Sequence, residues 1–124
     1  MKNYSLDTEM MIEVNARFIA KGQDEPLTGN IYNVRLFERD FLEDEFLGES
    51  IPDEHGVVHF RFSPAKLHDG FLDDKMPDFF FVLYKNGEVH FQSQVMENVY
   101  LDAIELYKKG TGEIIYLGTF LVDA

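Results

Sequence analysis

Residues 34–62, VRLFERDFLEDEFLGESIPDEHGVVHFRF, constrain the fold more than any other stretch. Strand-like runs and turn signals follow one another there with almost no slack. Val58, Phe60 and Phe62 alternate with Val57, His59 and Arg61, the period of a strand with one buried face. Ahead of them, Pro52-Asp53-Glu54-His55-Gly56 reads as a turn. Pro presets φ, Asp accepts bonds from its own backbone, and Gly takes a positive φ. A chain patterned this way forms sheets, and a sheet must bury its apolar face against a second layer.

The alternation recurs. Ile12, Val14, Ala16 and Phe18 oppose Glu13, Asn15 and Arg17, which makes 11–20 a half-buried strand. Residues 21–29 form a loop punctuated by Gly22, Pro26 and Gly29. Across 30–38, Tyr32, Val34 and Leu36 point inward, with Ile31 and Phe37 on the other face. A short strand is expected near 47–51. The run DFFFVLYK, opened by Pro77, is apolar on both faces and predicts a central strand covered on both sides. Asn86-Gly87 is the strongest hairpin signal in the chain. Its return strand is expected to turn Val89, Phe91, Ser93 and Val95 inward, and His90, Gln92 and Gln94 outward. Residues 64–75 offer room for one helical turn capped by Ser63. The β-rich EIIYLGTFLV predicts a last hairpin joining 99–108 to 113–122, although the apolar spacing of 96–109 also fits a helix. Together these runs predict an all-β, seven- to eight-stranded antiparallel β-sandwich with Greek-key-type connections. At 124 residues it is one domain, with 1–8 as a polar lead-in.

Composition narrows the function. The core material is aromatic, with 12 Phe and 6 Tyr but no Trp. Against 11 basic residues stand 23 acidic ones, a formal charge of −12. Such a surface repels phosphate backbones and anionic headgroups, so neither nucleic acid nor a membrane surface is an expected partner. Cations, basic proteins and neutral ligands stay open. The absence of cysteine excludes disulfides, thiolate metal sites and a Cys nucleophile. The N-terminus MKNYSLDTEM lacks the apolar run of an export signal, which makes a cytoplasmic address the default expectation.

Several motifs resemble a known family: Leu27-Thr28-Gly29 before a strand, then VRLFERD, DEFLGE, PDEHG with VVHFRF, MPDFFFVLY and YLGTFLV. In that order they resemble the transthyretin-like (prealbumin-like) β-sandwich domains, over residues 12–122. The resemblance implies that fold and a choice of roles: accessory domains, hormone carriers and some enzymes. Two enzymatic branches are not implied. The hydroxyisourate hydrolases use a Tyr-Arg-Gly-Ser tail where this sequence has Leu121-Val122-Asp123-Ala124, and the intradiol dioxygenases need a His-x-His step that is absent here. Pro52 stands where the family commonly has Thr, and the span from Met96 to Gly112 is longer than usual. The stretch FERDFLEDEFLGE also resembles the calcium loop of C2 domains.

Candidate site residues lie in that stretch. Glu38, Asp40, Glu43, Asp44 and Glu45 crowd between two strands, and Asp69, Asp73 and Asp74 come from a neighbouring loop. Two carboxylates about 4 Å apart repel by roughly 4 kcal/mol at an effective dielectric of 20. Calcium would relieve this through oxygen ligands, with Glu38, Asp40, Asp44, Glu45, Asp73 and Asp74 as its candidate set; splaying into salty water is the simpler outcome. No cofactor is required; calcium is the one candidate. His55, His59, His68 and His90 fall on turns, outward strand positions and a linker, a poor basis for a metal pair. No Ser sits in a nucleophile elbow. A row such as Phe37, Phe80 and Tyr84 could form a protein interface. The sequence thus predicts a non-catalytic binding or assembly module. It would present the acidic loop end or an edge strand to a protein partner, or self-associate. A small hydrolase of the same fold and a structural subunit of a larger assembly are the alternatives.

Overall fold

The computed structural model describes residues 12–39, 43–62, 78–96 and 115–123. Seven strands lie among them: β1 (Ile12–Ala20), β2 (Tyr32–Glu38), β3 (Glu45–Ser50), β4 (Val57–Phe62), β5 (Phe79–Lys85), β6 (Glu88–Gln92) and β7 (Ile115–Val122). They form a three-stranded sheet ordered β4-β1-β7 and a four-stranded sheet ordered β3-β2-β5-β6. This is the all-β, two-sheet arrangement that the alternation predicts. The helical turn expected at 64–75 and the strand or helix at 96–109 lie outside the described residues, apart from Met96.

Side-chain parity places the core between the sheets. Val14, Ala16 and Phe18 of β1 and Val58, Phe60 and Phe62 of β4 are buried against Tyr32, Val34 and Leu36 of β2 and Phe79, Phe81 and Leu83 of β5. Phe18 meets Phe81 edge-on at 5.7 Å and stacks on Phe120 at 5.2 Å, and Phe60 lies 5.7 Å from Phe81. Such ring pairs add about 0.5–1.5 kcal/mol each beyond the area they bury. As expected, β5 is central, and Phe80 and Val82 are buried on its other face as well.

The two turns follow their local chemistry. In the 52–56 turn, Asp53 Oδ1 accepts from the backbone N–H of His55 at 2.8 Å and of Val57 at 3.0 Å. Gly56 takes φ +77°, and a Cβ there would overlap the Phe18 carbonyl oxygen. The Phe18 N–H donates to the Gly56 carbonyl at 2.8 Å, which ties the turn to β1. Asn86 and Gly87 both have positive φ, the primed turn that matches strand twist.

Two expectations are corrected. The sandwich is not wholly antiparallel, because β1 and β7 pair in parallel, with Val14 opposite Ile115 and Ala20 opposite Val122. Alternation shows which face a side chain takes but not which way the neighbouring strand runs. Val89 does not turn inward: it is 62% exposed. The β5–β6 register shifts between Leu83 and Tyr84, so Phe91 faces Leu83 while Val89 faces Tyr84. That bulge breaks the parity the sequence suggests.

Candidate functional site

The acidic end is built where β2 hands over to β3. Glu38 opposes Glu45 across the ladder, with Asp44 next in the chain. Glu38 keeps the parity of Tyr32, Val34 and Leu36, so it sits on the core side at 4% exposure. Glu43, Asp44 and Glu45 are exposed. Asp40, Asp73 and Asp74 of the candidate calcium set, and Asp69, lie outside the described residues. Among the described residues, no group of three or more His, Asp or Glu side chains is placed to hold a metal ion.

Beside this end, the outer face of the four-stranded sheet carries a groove. Phe37 stacks on Phe80 with centroids 5.2 Å apart and leans on Phe46 at 5.8 Å. The Arg35 guanidinium lies 4.9 Å from the Tyr84 ring centre and 5.8 Å from that of Phe46. Its Nε is 3.3 Å from Glu49 Oε2. That ion pair is exposed and contributes less than about 1 kcal/mol, but together with the two rings it fixes where the guanidinium stands. Arg35, Phe37, Phe46, Gly48 and Glu49 enclose about 440 Å³. A second hollow of about 480 Å³ continues from Arg35 along Asn30, Ile31, Asn33, Tyr84, Asn86 and Gly87.

Sequence parity finds part of this face. Phe37, Phe80 and Tyr84 are the row flagged as a possible interface, and Phe80 proves to be the buried floor beneath Phe37. Phe46 and Glu49 are missed. They are three residues apart, so plain alternation would put them on opposite faces. The β2–β3 register shifts after Leu36, where Gly48 is its partner, so that Phe37 meets Phe46. The extra residue, Leu47, is buried in the core, while Phe46 stays outside at 44% exposure. No sequence signal marks a bulge at that point.

A third constellation lies on the outer face of the three-stranded sheet. His59 Nδ1 is 3.1 Å from Asn15 Oδ1, its Nε2 is 3.3 Å from Asp53 Oδ2, and its backbone N–H donates to Ser50 Oγ at 3.0 Å. Glu13 Oε2 is 3.8 Å from His59 Nδ1, and Glu13 Oε1 is 3.8 Å from Arg61 Nε. Burial raises the Asp53 carboxyl. The backbone bonds from Val57 and His55 and the contact with His59 outweigh that and hold it below the ordinary carboxylate range. The ring therefore braces the turn against β1. Among the described residues the ring nitrogens meet an amide and carboxylates, and Ser50 Oγ accepts from the His59 main chain and not from the ring. His55 lies by Glu54 at 3.6 Å, and His90 Nε2 contacts the Asp123 carbonyl, so the described histidines are spread over separate sites. Ser93 is a buried small residue whose Oγ accepts from the Phe81 N–H at 2.8 Å.

No protein-family model and no curated protein matches this chain. Its fold is similar to a solved structure, that of a 9R-lipoxygenase from Cyanothece PCC8801, with a TM-score of 0.61 at 17% sequence identity. The likeness covers 98% of this chain and 18% of the lipoxygenase. At that identity it establishes a β-sandwich-like fold and nothing of the activity. No helix among the described residues is long and apolar enough to cross a membrane.

Proposed function

We propose that this chain is a non-catalytic binding module whose Phe37–Phe46 groove, rimmed by the acidic β2–β3 end, seats a basic segment of a protein partner. One observation carries the reading. An exposed phenylalanine lies against a second ring and a fixed guanidinium, with exposed Glu49 on the same face of its strand. Aromatic and arginine side chains are the usual anchors of protein interfaces. The carboxylates favour a partner that brings Lys or Arg around an apolar anchor, and the net charge of −12 steers such a partner inward. The fold likeness supports a modular role, since the similar sandwich is a small share of a much longer chain. The motif order of the transthyretin-like domains belongs to the same reading, because accessory domains are among that family's roles.

The test is affinity capture from the source cell, followed by titration of the recovered partner. Binding should fall by about tenfold or more in Phe46→Ser, the scale of one interface anchor. Glu49→Lys should weaken it further at low salt than at high salt. Undiminished binding by both variants would refute the groove. Turnover of a small substrate by the purified chain would refute the non-catalytic part.

Calcium at the β2–β3 end is a second element of this proposal, favoured by the direct opposition of Glu38 and Glu45 in the ladder. Millimolar calcium should raise the melting temperature, and Asp40→Asn combined with Asp44→Asn should abolish the rise. An unchanged melting curve would discard it.

A further inference from the structure

We infer that the hollow lined by Asn30, Asn33, Tyr84 and Asn86 is a binding site for a neutral saccharide, separate from the protein-binding groove across Arg35. The observation that points to a ligand is Asn33. Its Nδ2 donates to Glu49 Oε2 at 3.1 Å, which fixes the orientation of the amide, because the flipped form would set Oδ1 against a carboxylate. Its Oδ1 is then buried with no hydrogen-bond partner among the described residues. A buried acceptor left unpaired is costly, and native structures keep few of them.

The lining decides what supplies the donor. The exposed amides of Asn30 and Asn86 offer paired donors and acceptors, the pattern that vicinal hydroxyls of a sugar can match in both senses, and Asn33 adds an acceptor. Tyr84 adds a phenolic hydroxyl, and Ile31, exposed at 44%, adds a small apolar patch for a ring face. Among the described residues no carboxylate lines the hollow, and the one cation of that lining, Arg35, is already engaged by Glu49. An ionic ligand therefore has no complementary charge left to meet. A peptide adding as a strand is also disfavoured. Along the hollow β5 is paired on both sides, by β2 and β6, and only the stretch of β2 before Val34 lacks a β3 partner, which is too short to seat a strand. Recognition must come from side chains. Asn33 lines the hollow but its Oδ1 is covered, so a ligand reaches that oxygen by displacing rim side chains while Glu49 still holds Nδ2.

The test is nitrogen–proton correlation spectroscopy of the full chain, titrated with neutral trisaccharides: maltotriose, cellotriose, mannotriose and chitotriose. At least one should shift the Asn33 and Asn86 side-chain resonances in a saturable way. Asn33→Ala should weaken that binding about fivefold, the weight of one net hydrogen bond. Asn86→Gly keeps the turn, because glycine accepts its positive φ, and should also weaken binding. No saturable shift with any of the four sugars would overturn the inference. So would shifts of equal size and affinity in both variants, which would mark non-specific contact.

Discussion

Two phenylalanine clusters in this molecule sit on opposite sides of the same sheet. Between the sheets, Phe18, Phe60 and Phe81 form a buried cluster, closed over by the partly buried Phe91 and Phe120. On the outer face, Phe37, Phe46 and Phe80 pack nearly as closely, yet Phe46 is 44% exposed and shares its surroundings with Arg35 and Glu49. Composition does not separate the two. Strand parity and one bulge do. The inner cluster is where burial stabilises the fold, and the outer cluster keeps apolar area available for binding.

The sharpest way to break this contrast is truncation. Phe81→Ala, deep between the sheets, should cost about 3–5 kcal/mol, read as a lowered urea midpoint at an unchanged slope. Phe46→Ala should cost less than about 1 kcal/mol in the same experiment. Equal losses would mean that both clusters are structural and would remove the reason to see a groove. The next largest effect tests what holds the inner cluster in register. Gly56→Ala must adopt a positive φ and press on the Phe18 carbonyl, so a loss of about 1–3 kcal/mol is expected by thermal unfolding.

A smaller effect belongs to Asp53, whose carboxylate caps that turn. Asp53→Ala should cost about 1 kcal/mol, since the side chain is partly exposed and its bonds are screened. The sign of its pH dependence follows from its lowered carboxyl. The folded state binds a proton less readily than the unfolded one, whose carboxyl keeps the ordinary value of 3.8. The stabilisation is therefore complete well above that value and is lost as pH falls through and below it. Melting temperatures of wild type and Asp53→Ala, measured from neutral to strongly acidic pH, should converge at the acid end. A constant gap would show that the cap acts without its charge.

Much of the fold was readable from the residues. The alternation of β4 and β2, the two-faced apolar run of β5, the Pro-Asp…Gly turn and the Asn-Gly hairpin each have a local cause, and each is realised. The bulges were not readable. One after Leu36 brings Phe46 beside Phe37, and one after Leu83 turns Val89 outward. A bulge depends on how two distant segments align, which neither segment encodes alone. The candidate site was visible in part for the same reason. Phe37, Phe80 and Tyr84 follow from parity, whereas Phe46, Glu49 and the amide environment of Asn33 depend on strand pairing.

By itself, the amino-acid sequence determined which side chains share a face, where the chain turns, and that the surface is acidic, because these depend on neighbours two to five residues away. Tertiary structure alone decided that β7 lies parallel to β1, that Phe46 lies beside Phe37, and that Arg35 stands between two rings. Those outcomes depend on which strands meet and in what register. That choice is made by the packing of whole sheets, on which each short segment has only a partial influence.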